Sequence, residues 1–153
     1  MARLRIAAAV PHDNAFSSCS QAALTYASLG WRVIPVKGKR PAIRDWPGKA
    51  SNDPGTINSW FGNYTGVGIV TGSKSGIVAL DIDPRNGGNE NLQALEIELG
   101  KLPRTVTAQT GGGGRHFLFH WFPGNKNHKP APGIDFQCSD GQMIVAAPSV
   151  HPE

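Results

Sequence analysis

The sequence predicts an α+β fold of mixed α/β character, and three observations lead there. The chain of 153 residues contains 19 glycines and 12 prolines, so its elements are short and a helical bundle is disfavoured. Near the N-terminus, a stripe of apolar residues at helical spacing runs directly into a β-rich run. The second half is dominated by short runs that alternate apolar and polar residues between turn signals.

Taken in order, the first element is a helix over 18–29. Ala22, Ala23, Tyr26 and Leu29 recur on one face, Ser17 or Ser18 can cap the start, and Gly30 stands where a C′ glycine belongs. A strand over 31–36 follows, then a basic loop, Lys37-Gly38-Lys39-Arg40-Pro41. Asp53-Pro54 opens a second helix, with Asp as N-cap, proline in the first turn, and Ile57, Trp60 and Phe61 as its apolar face. Strands are predicted over 66–70 and 77–82, separated by the turn 71–76. Asn89 or Asn91 can cap a helix through Leu99, with Gly100 at its end. Further strands are expected at 105–108 and 115–121, with 111–114 as a flexible joint and 122–132 as a loop. Runs at 134–138 and 142–146 flank Ser139-Asp140-Gly141, which reads as a β-hairpin turn. No repeat or domain boundary interrupts this pattern. One domain over 16–153 is expected, behind a loose leader at 1–15.

Composition narrows the function classes. At 39% hydrophobic and 17% charged the chain is globular in character, and a formal net charge of +4 suits a polyanionic partner. The two cysteines form no C-x-x-C pair, which excludes a zinc ribbon and suits a reducing, cytoplasmic compartment. The apolar run Ile6-Ala7-Ala8-Ala9-Val10 is too short for a secretory signal, and nothing approaches the ~18 apolar residues of a membrane helix.

Three segments can carry chemistry. In Val78-Ala79-Leu80-Asp81-Ile82-Asp83-Pro84, alternation sends Val78, Leu80 and Ile82 to a core and places Asp81 and Asp83 together on the opposite face. Two carboxylates about 7 Å apart on one strand repel each other unless a cation sits between them, and hard divalent ions want such oxygens. The alternative is a solvated edge aspartate followed by a turn at Asp83-Pro84. In Gly111-Gly112-Gly113-Gly114-Arg115-His116-Phe117-Leu118-Phe119-His120-Trp121, Phe117, Phe119 and Trp121 face one way and His116, Leu118 and His120 the other. The glycines precede a strand rather than a helix, so this is no P-loop, but bare backbone can approach a phosphate and His116 can donate to a triphosphate or sugar. The alternative is a half-buried histidine beside a flexible hairpin. In Gly133-Ile134-Asp135-Phe136-Gln137, Asp135 could complete a carboxylate set, or simply pair with a surface lysine. The loop cations Lys37, Lys39, Arg40, Arg44, Lys49, Lys74 and Arg115 could hold phosphates or be solvated surface. Trp46, Trp60 and Trp121 are expected to pack rather than stack on bases. Together, an Asp-x-Asp strand, a glycine-led histidine strand and a later strand aspartate fit two-metal phosphoryl transfer.

In that order the segments resemble the bifunctional primase–polymerase (prim-pol) domain of the archaeo-eukaryotic primase superfamily, found in replication proteins of phages, plasmids and other mobile elements. The resemblance spans about 22–151. Leu29-Gly30-Trp31-Arg32-Val33-Ile34-Pro35 is similar to the family's opening, and Lys39-Arg40-Pro41 followed by Trp46 to its basic loop. Gly68-Ile69-Val70-Thr71-Gly72 with Leu80-Asp81-Ile82-Asp83 resembles the first motif, Gly114-Arg115-His116 the second, and Ile134-Asp135 the third. Ala147-Pro148-Ser149-Val150-His151 is similar to the closing segment. Two departures stand out: Phe136-Gln137 follows Asp135 where many relatives carry a basic residue, and Ala146-Ala147-Pro148 stands where two prolines are common. No zinc-binding cluster is present, which excludes a zinc-stem variant.

The resemblance implies an RRM-like catalytic sheet beside a small α/β module. It implies two Mg²⁺ or Mn²⁺ ions on Asp81, Asp83 and Asp135, and His116 on the phosphates of the incoming nucleotide. Gly114, Arg115, Lys39 and Lys74 are further expected nucleotide contacts. The expected partners are a DNA template and primer and nucleoside triphosphates, with a replicative helicase domain or protein, since relatives often continue into one. The expected activity is primer synthesis or DNA polymerisation. The competing readings are an inactive fragment serving as a DNA- or partner-binding module, and a two-metal nuclease.

Overall fold

A computed structural model describes residues 18–149 of the chain. The leader expected over 1–15, and Val150 and His151 of the closing segment, lie outside the described residues.

The elements in chain order are α1 (Cys19–Ser28), β1 (Val33–Lys37), β2 (Arg40–Pro41), α2 (Trp46–Lys49), α3 (Pro54–Trp60), β3 (Gly66–Val70), β4 (Ile77–Ile82), a 3-10 turn (Pro84–Asn86), α4 (Gly88–Leu99), β5 (Val106–Gln109), β6 (Arg115–His120), β7 (His128–Ala131), β8 (Ile134–Gln137) and β9 (Met143–Ala146). The strands form two antiparallel sheets, one in the order β2-β1-β3-β9 and the other β5-β6-β4-β8-β7. This is the mixed α+β class expected.

Local chemistry explains the helix starts. The Ser18 hydroxyl accepts from the Gln21 N–H at 3.2 Å, and the Asp53 carboxylate accepts from the Thr56 N–H at 2.7 Å, so each helix has one otherwise orphaned donor satisfied. The Thr56 N–H is also the main reason the Asp53 carboxyl is held below its usual range. Helix α4 begins earlier than the sequence suggested, with Gly87 rather than an asparagine at its N-cap.

Both sheets share one apolar interior. Ala22, Ala23 and Tyr26 of α1 and Ile57 of α3 pack with Val33, Val67, Ile69 and Ile144 from the first sheet and Ile77, Ala79 and Leu118 from the second. The other face of the five-stranded sheet is covered by α4, with Leu92 against Leu80, Ile82 and Ile134. Within this sheet β6 lies between β4 and β5, which makes β4-α4-β5 a split β-α-β unit.

Two expectations change. The segment 122–132 is not all loop, because β7 pairs with β8 at its C-terminal end. This edge strand, His-Lys-Pro-Ala, is exposed along most of its length and contains Pro130, so it carries no apolar alternation that would mark it in sequence. The Ser139-Asp140-Gly141 turn does not close a hairpin. It carries the chain from β8 in one sheet to β9 in the other. It is docked on the turn before β4: Asp140 accepts from the Lys74 N–H at 3.0 Å and from the Ser73 hydroxyl at 3.1 Å, and the Thr71 hydroxyl donates to the Ser139 carbonyl at 3.0 Å. A β-carbon on Gly72 would lie 2.5 Å from the Asp140 nitrogen, so only glycine permits this approach.

Candidate functional site

The central strands place the acidic residues by register. Asp81 on β4 is the direct partner of His116 on β6 on one side and of Asp135 on β8 on the other. Directly opposed residues point to the same face, so His116, Asp81 and Asp135 form one row across three strands. This face is the one that carries Ala79 and Leu118 into the shared interior, and the row emerges where that interior opens. Nε2 of His116 stands 3.4 Å from Oδ1 of Asp81, with His116 buried and Asp81 partly exposed.

Asp83 lies just past the end of β4. Its backbone is clamped, with its N–H donating to the Gly133 carbonyl at 2.8 Å and its carbonyl accepting from the Gly88 N–H at 3.0 Å. Gly88 and Gly133 approach so closely that a β-carbon on Gly88 would sit 2.4 Å from the Gly133 oxygen. The carboxylate accepts from Nε of Arg85 at 3.1 Å and from Nδ2 of Asn86 at 2.9 Å. The Arg85 hydrogen bond, foremost, holds the Asp83 carboxyl below the ordinary carboxylate range, so it stays ionised. Asp135 has its own counter-ion, Nζ of Lys129 on β7 at 3.2 Å.

These residues border a cleft of about 400 Å³ between the two sheets. Asp81, Asp83 and His116 line it, facing the backbone around Ala147 and Pro148. The closing segment is pinned in place: the Ser149 hydroxyl accepts from the Val67 N–H at 2.8 Å, and the Tyr26 hydroxyl donates to the Ala147 carbonyl at 2.9 Å. Gly111, Gly112 and Gly114 form another wall. The glycine stretch read as a flexible joint is a tied turn, in which the Thr110 N–H donates to the Gly114 carbonyl at 2.8 Å and the Gly114 N–H donates to the Thr110 hydroxyl at 3.0 Å. A β-carbon on Gly114 would lie 2.5 Å from the Ile82 oxygen, which ties this glycine to the end of the acidic strand.

The expected site residues thus divide. Asp81, Asp83, His116, Gly114 and Lys39 line the cleft, Lys39 coming from the tight turn between β1 and β2. Asp135 shares the acidic row, but its carboxylate is turned to Lys129. Arg115 points to the opposite face, where its guanidinium donates to Asn89 at 2.9 Å and lies 5.2 Å over the Phe117 ring. Lys74 is outside the cleft, in the turn that docks Asp140. Gln137 and Thr110 are among the cleft residues that the sequence pattern did not single out. The period-2 pattern of β8 places Gln137 on the Asp135 face, and that was the available signal.

A family model for the bifunctional DNA primase/polymerase N-terminal domain matches residues 23–153. The chain belongs to this family. Membership carries a primase/polymerase role in nucleotidyl transfer, and such a domain binds DNA and nucleotides. Among curated proteins no match is found. No helix among the described residues is long and apolar enough to cross a membrane.

The prim-pol family implies divalent metal, and the donor chemistry can be tested against it. Asp81, Asp83 and Asp135 offer the hard carboxylate oxygens that Mg²⁺ and Mn²⁺ prefer. Among the described residues, no three His, Cys, Asp or Glu side chains converge into a ligand cluster, and Arg85 and Lys129 pair with the two flanking carboxylates. The residues fit the metal by type and register, and a third ligand requires Asp135 to exchange Lys129 for the ion. That pair is exposed, at 78% for Lys129 and 41% for Asp135, and exposed pairs contribute only about 0–1 kcal/mol, so the exchange is inexpensive.

Proposed function

We propose that this domain performs template-directed, two-metal-ion nucleotidyl transfer, making or extending a primer from nucleoside triphosphates. It would serve a replication protein of the phage, plasmid or mobile-element type, in the cytoplasm and alongside a helicase domain or protein. The observation that carries the reading is the row His116–Asp81–Asp135, with Asp83 beside it, at the mouth of a nucleotide-sized cleft.

Asp81, Asp83 and Asp135 would hold Mg²⁺ or Mn²⁺, which supplies neutralisation of the triphosphate and activation of the primer 3′-hydroxyl. In the reaction, that hydroxyl oxygen bonds to the α-phosphorus while the bond to the β-phosphate bridge breaks and pyrophosphate leaves. His116 stands at one end of the row, where its ring would donate to a phosphate oxygen of the nucleotide. Lys39 adds positive charge on the facing wall. The Thr110–Gly114 turn keeps bare backbone close to the phosphates. The strand order β5-β6-β4-β8 and the split β-α-β unit support reading this sheet as RRM-like, with β1, β3, β9 and α1–α3 as the flanking module.

The test is extension of a primed DNA template with dNTPs and Mn²⁺ by the wild-type chain and by an Asp81→Asn/Asp83→Asn variant. The wild type is expected to extend, and the variant to lose at least about 100-fold, since loss of even an outer partner of a metal ligand costs 10–100-fold. Equal extension by both would remove the acidic row from the reaction. A folded wild type that binds DNA without extending would favour the binding-module reading. Degradation of the primer in place of extension would favour the nuclease.

A further inference from the structure

Gln137, a lining residue of the cleft, carries a buried oxygen with no partner among the described residues. Oε1 of Gln137 is buried and has no hydrogen-bond partner. Buried polar oxygens are nearly always paired, because leaving one unpaired forfeits its hydration without return. Gln137 lines the cleft together with Asp81, Asp83 and His116. Its register partner is Ala79, as that of Asp135 is Asp81, so Gln137 sits one pleat further along the same face than the acidic row. Two residues along a strand span about 6.8 Å. The remaining side chains of that second row, Ala79 and Leu118, are buried and apolar, and neither can donate to the oxygen.

An amide oxygen accepts, so its partner is a hydrogen-bond donor or a cation, and the carboxylates that would hold cations lie one pleat away. Phosphate oxygens are acceptors and are excluded. A base amino group is a donor, but a template-directed enzyme takes four bases, and thymine and uracil carry no amino group. Every ribo- or deoxyribonucleoside triphosphate carries at least one sugar hydroxyl, a donor that lies near the phosphates, as Gln137 lies next to the acidic row. We infer that Gln137 accepts a hydrogen bond from a sugar hydroxyl of the incoming nucleotide and so sets which sugars the site holds. The inference rests on the nucleotide reading of the cleft.

The test is calorimetric binding of dATP, ATP, 3′-deoxyATP and 2′,3′-dideoxyATP with Mn²⁺ to the full chain and to Gln137→Met. The wild type is expected to hold ATP about three- to tenfold more tightly than the dideoxy analogue, the worth of one neutral hydrogen bond. Gln137→Met should erase that ratio while leaving the affinity for the dideoxy analogue unchanged. The two singly deoxygenated nucleotides then tell which hydroxyl is bound. Gln137→Met should melt no earlier than the wild type, because it removes an unsatisfied buried oxygen. Should it melt early, the ratio measured on the wild type alone still decides, since the analogues delete the same contact from the ligand side. A wild type indifferent to both hydroxyls, or a ratio unchanged in the variant, overturns the assignment and leaves the nucleotide site standing. A wild type that binds no nucleoside triphosphate in Mn²⁺ overturns the nucleotide reading, and this assignment with it.

Discussion

The two faces of the five-stranded sheet are built from alternate residues of the same strands, and they do opposite work. On one face, Leu80, Ile82, Phe117, Ile134 and Phe136 pack under α4. On the other, Asp81, His116 and Gln137 line a cleft, and Asp135 stands beside Asp81 in the same row. The apolar face removes surface from water and stabilises the fold. The polar face gathers carboxylates and a histidine, and two of the carboxylates have found a cation, Asp83 with Arg85 and Asp135 with Lys129. A strand supplies both because its side chains alternate, so a single residue step separates a stability position from a chemistry position.

The comparison breaks most visibly at Phe119, which is 1% exposed among Val78 and Cys138. Phe119→Ala should lower stability by about 3–5 kcal/mol. Urea unfolding measures it, and at temperatures where the variant remains folded its Mn²⁺-dependent nucleotide binding should match the wild type. A variant that is stable but has lost binding would mean the two faces are coupled rather than divided. A smaller effect is expected on the polar side at Lys129. Lys129→Ala should change stability by less than about 1 kcal/mol, since the pair is exposed. It should also strengthen Mn²⁺ binding, because Asp135 no longer has to give up a competing cation, and titration calorimetry would read the gain. Weaker Mn²⁺ binding in that variant would show that Asp135 is not a ligand.

The smallest expected effect is acid lability. Asp83 is held low chiefly by the Arg85 hydrogen bond, Asp53 by the Thr56 N–H, and Glu96 by the Leu102 N–H. A carboxyl whose folded value lies below its unfolded value of about 4 contributes stability that is present above that value and lost as pH falls through the folded one. Thermal melting over about pH 2–6 should therefore show a decline that begins near pH 4. Asp83→Asn should flatten part of it, whereas an unchanged profile would make the Arg85 contact irrelevant to folding.

Where the sequence was readable, the signal was local. The caps at Ser18 and Asp53 lie within three residues of the N–H groups they satisfy, and the strands 66–70 and 77–82 fall where apolar residues and turn signals placed them. Alternation was enough to separate Asp81 from Leu80 and Ile82, to put Asp135 with Gln137, and to put Phe117 with Phe119. It failed for β7, whose pairing comes from β8 rather than from any pattern in His128-Lys129-Pro130-Ala131. It failed again at Ser139-Asp140-Gly141, where a turn suited to a hairpin instead bonds to residues 71–74, more than sixty positions earlier.

By itself, the sequence determined which residues face together along each strand, because that follows from backbone geometry and a period of two. It could not determine that Asp81 stands beside both His116 and Asp135, since strand register depends on contacts between segments tens of residues apart. Nor could it show that Arg115 is turned from the cleft while Lys39 reaches it, or that the Gln137 oxygen is left unpaired. Those are decided when two sheets close on one another, and only then does a side chain's neighbourhood, and with it its chemistry, exist.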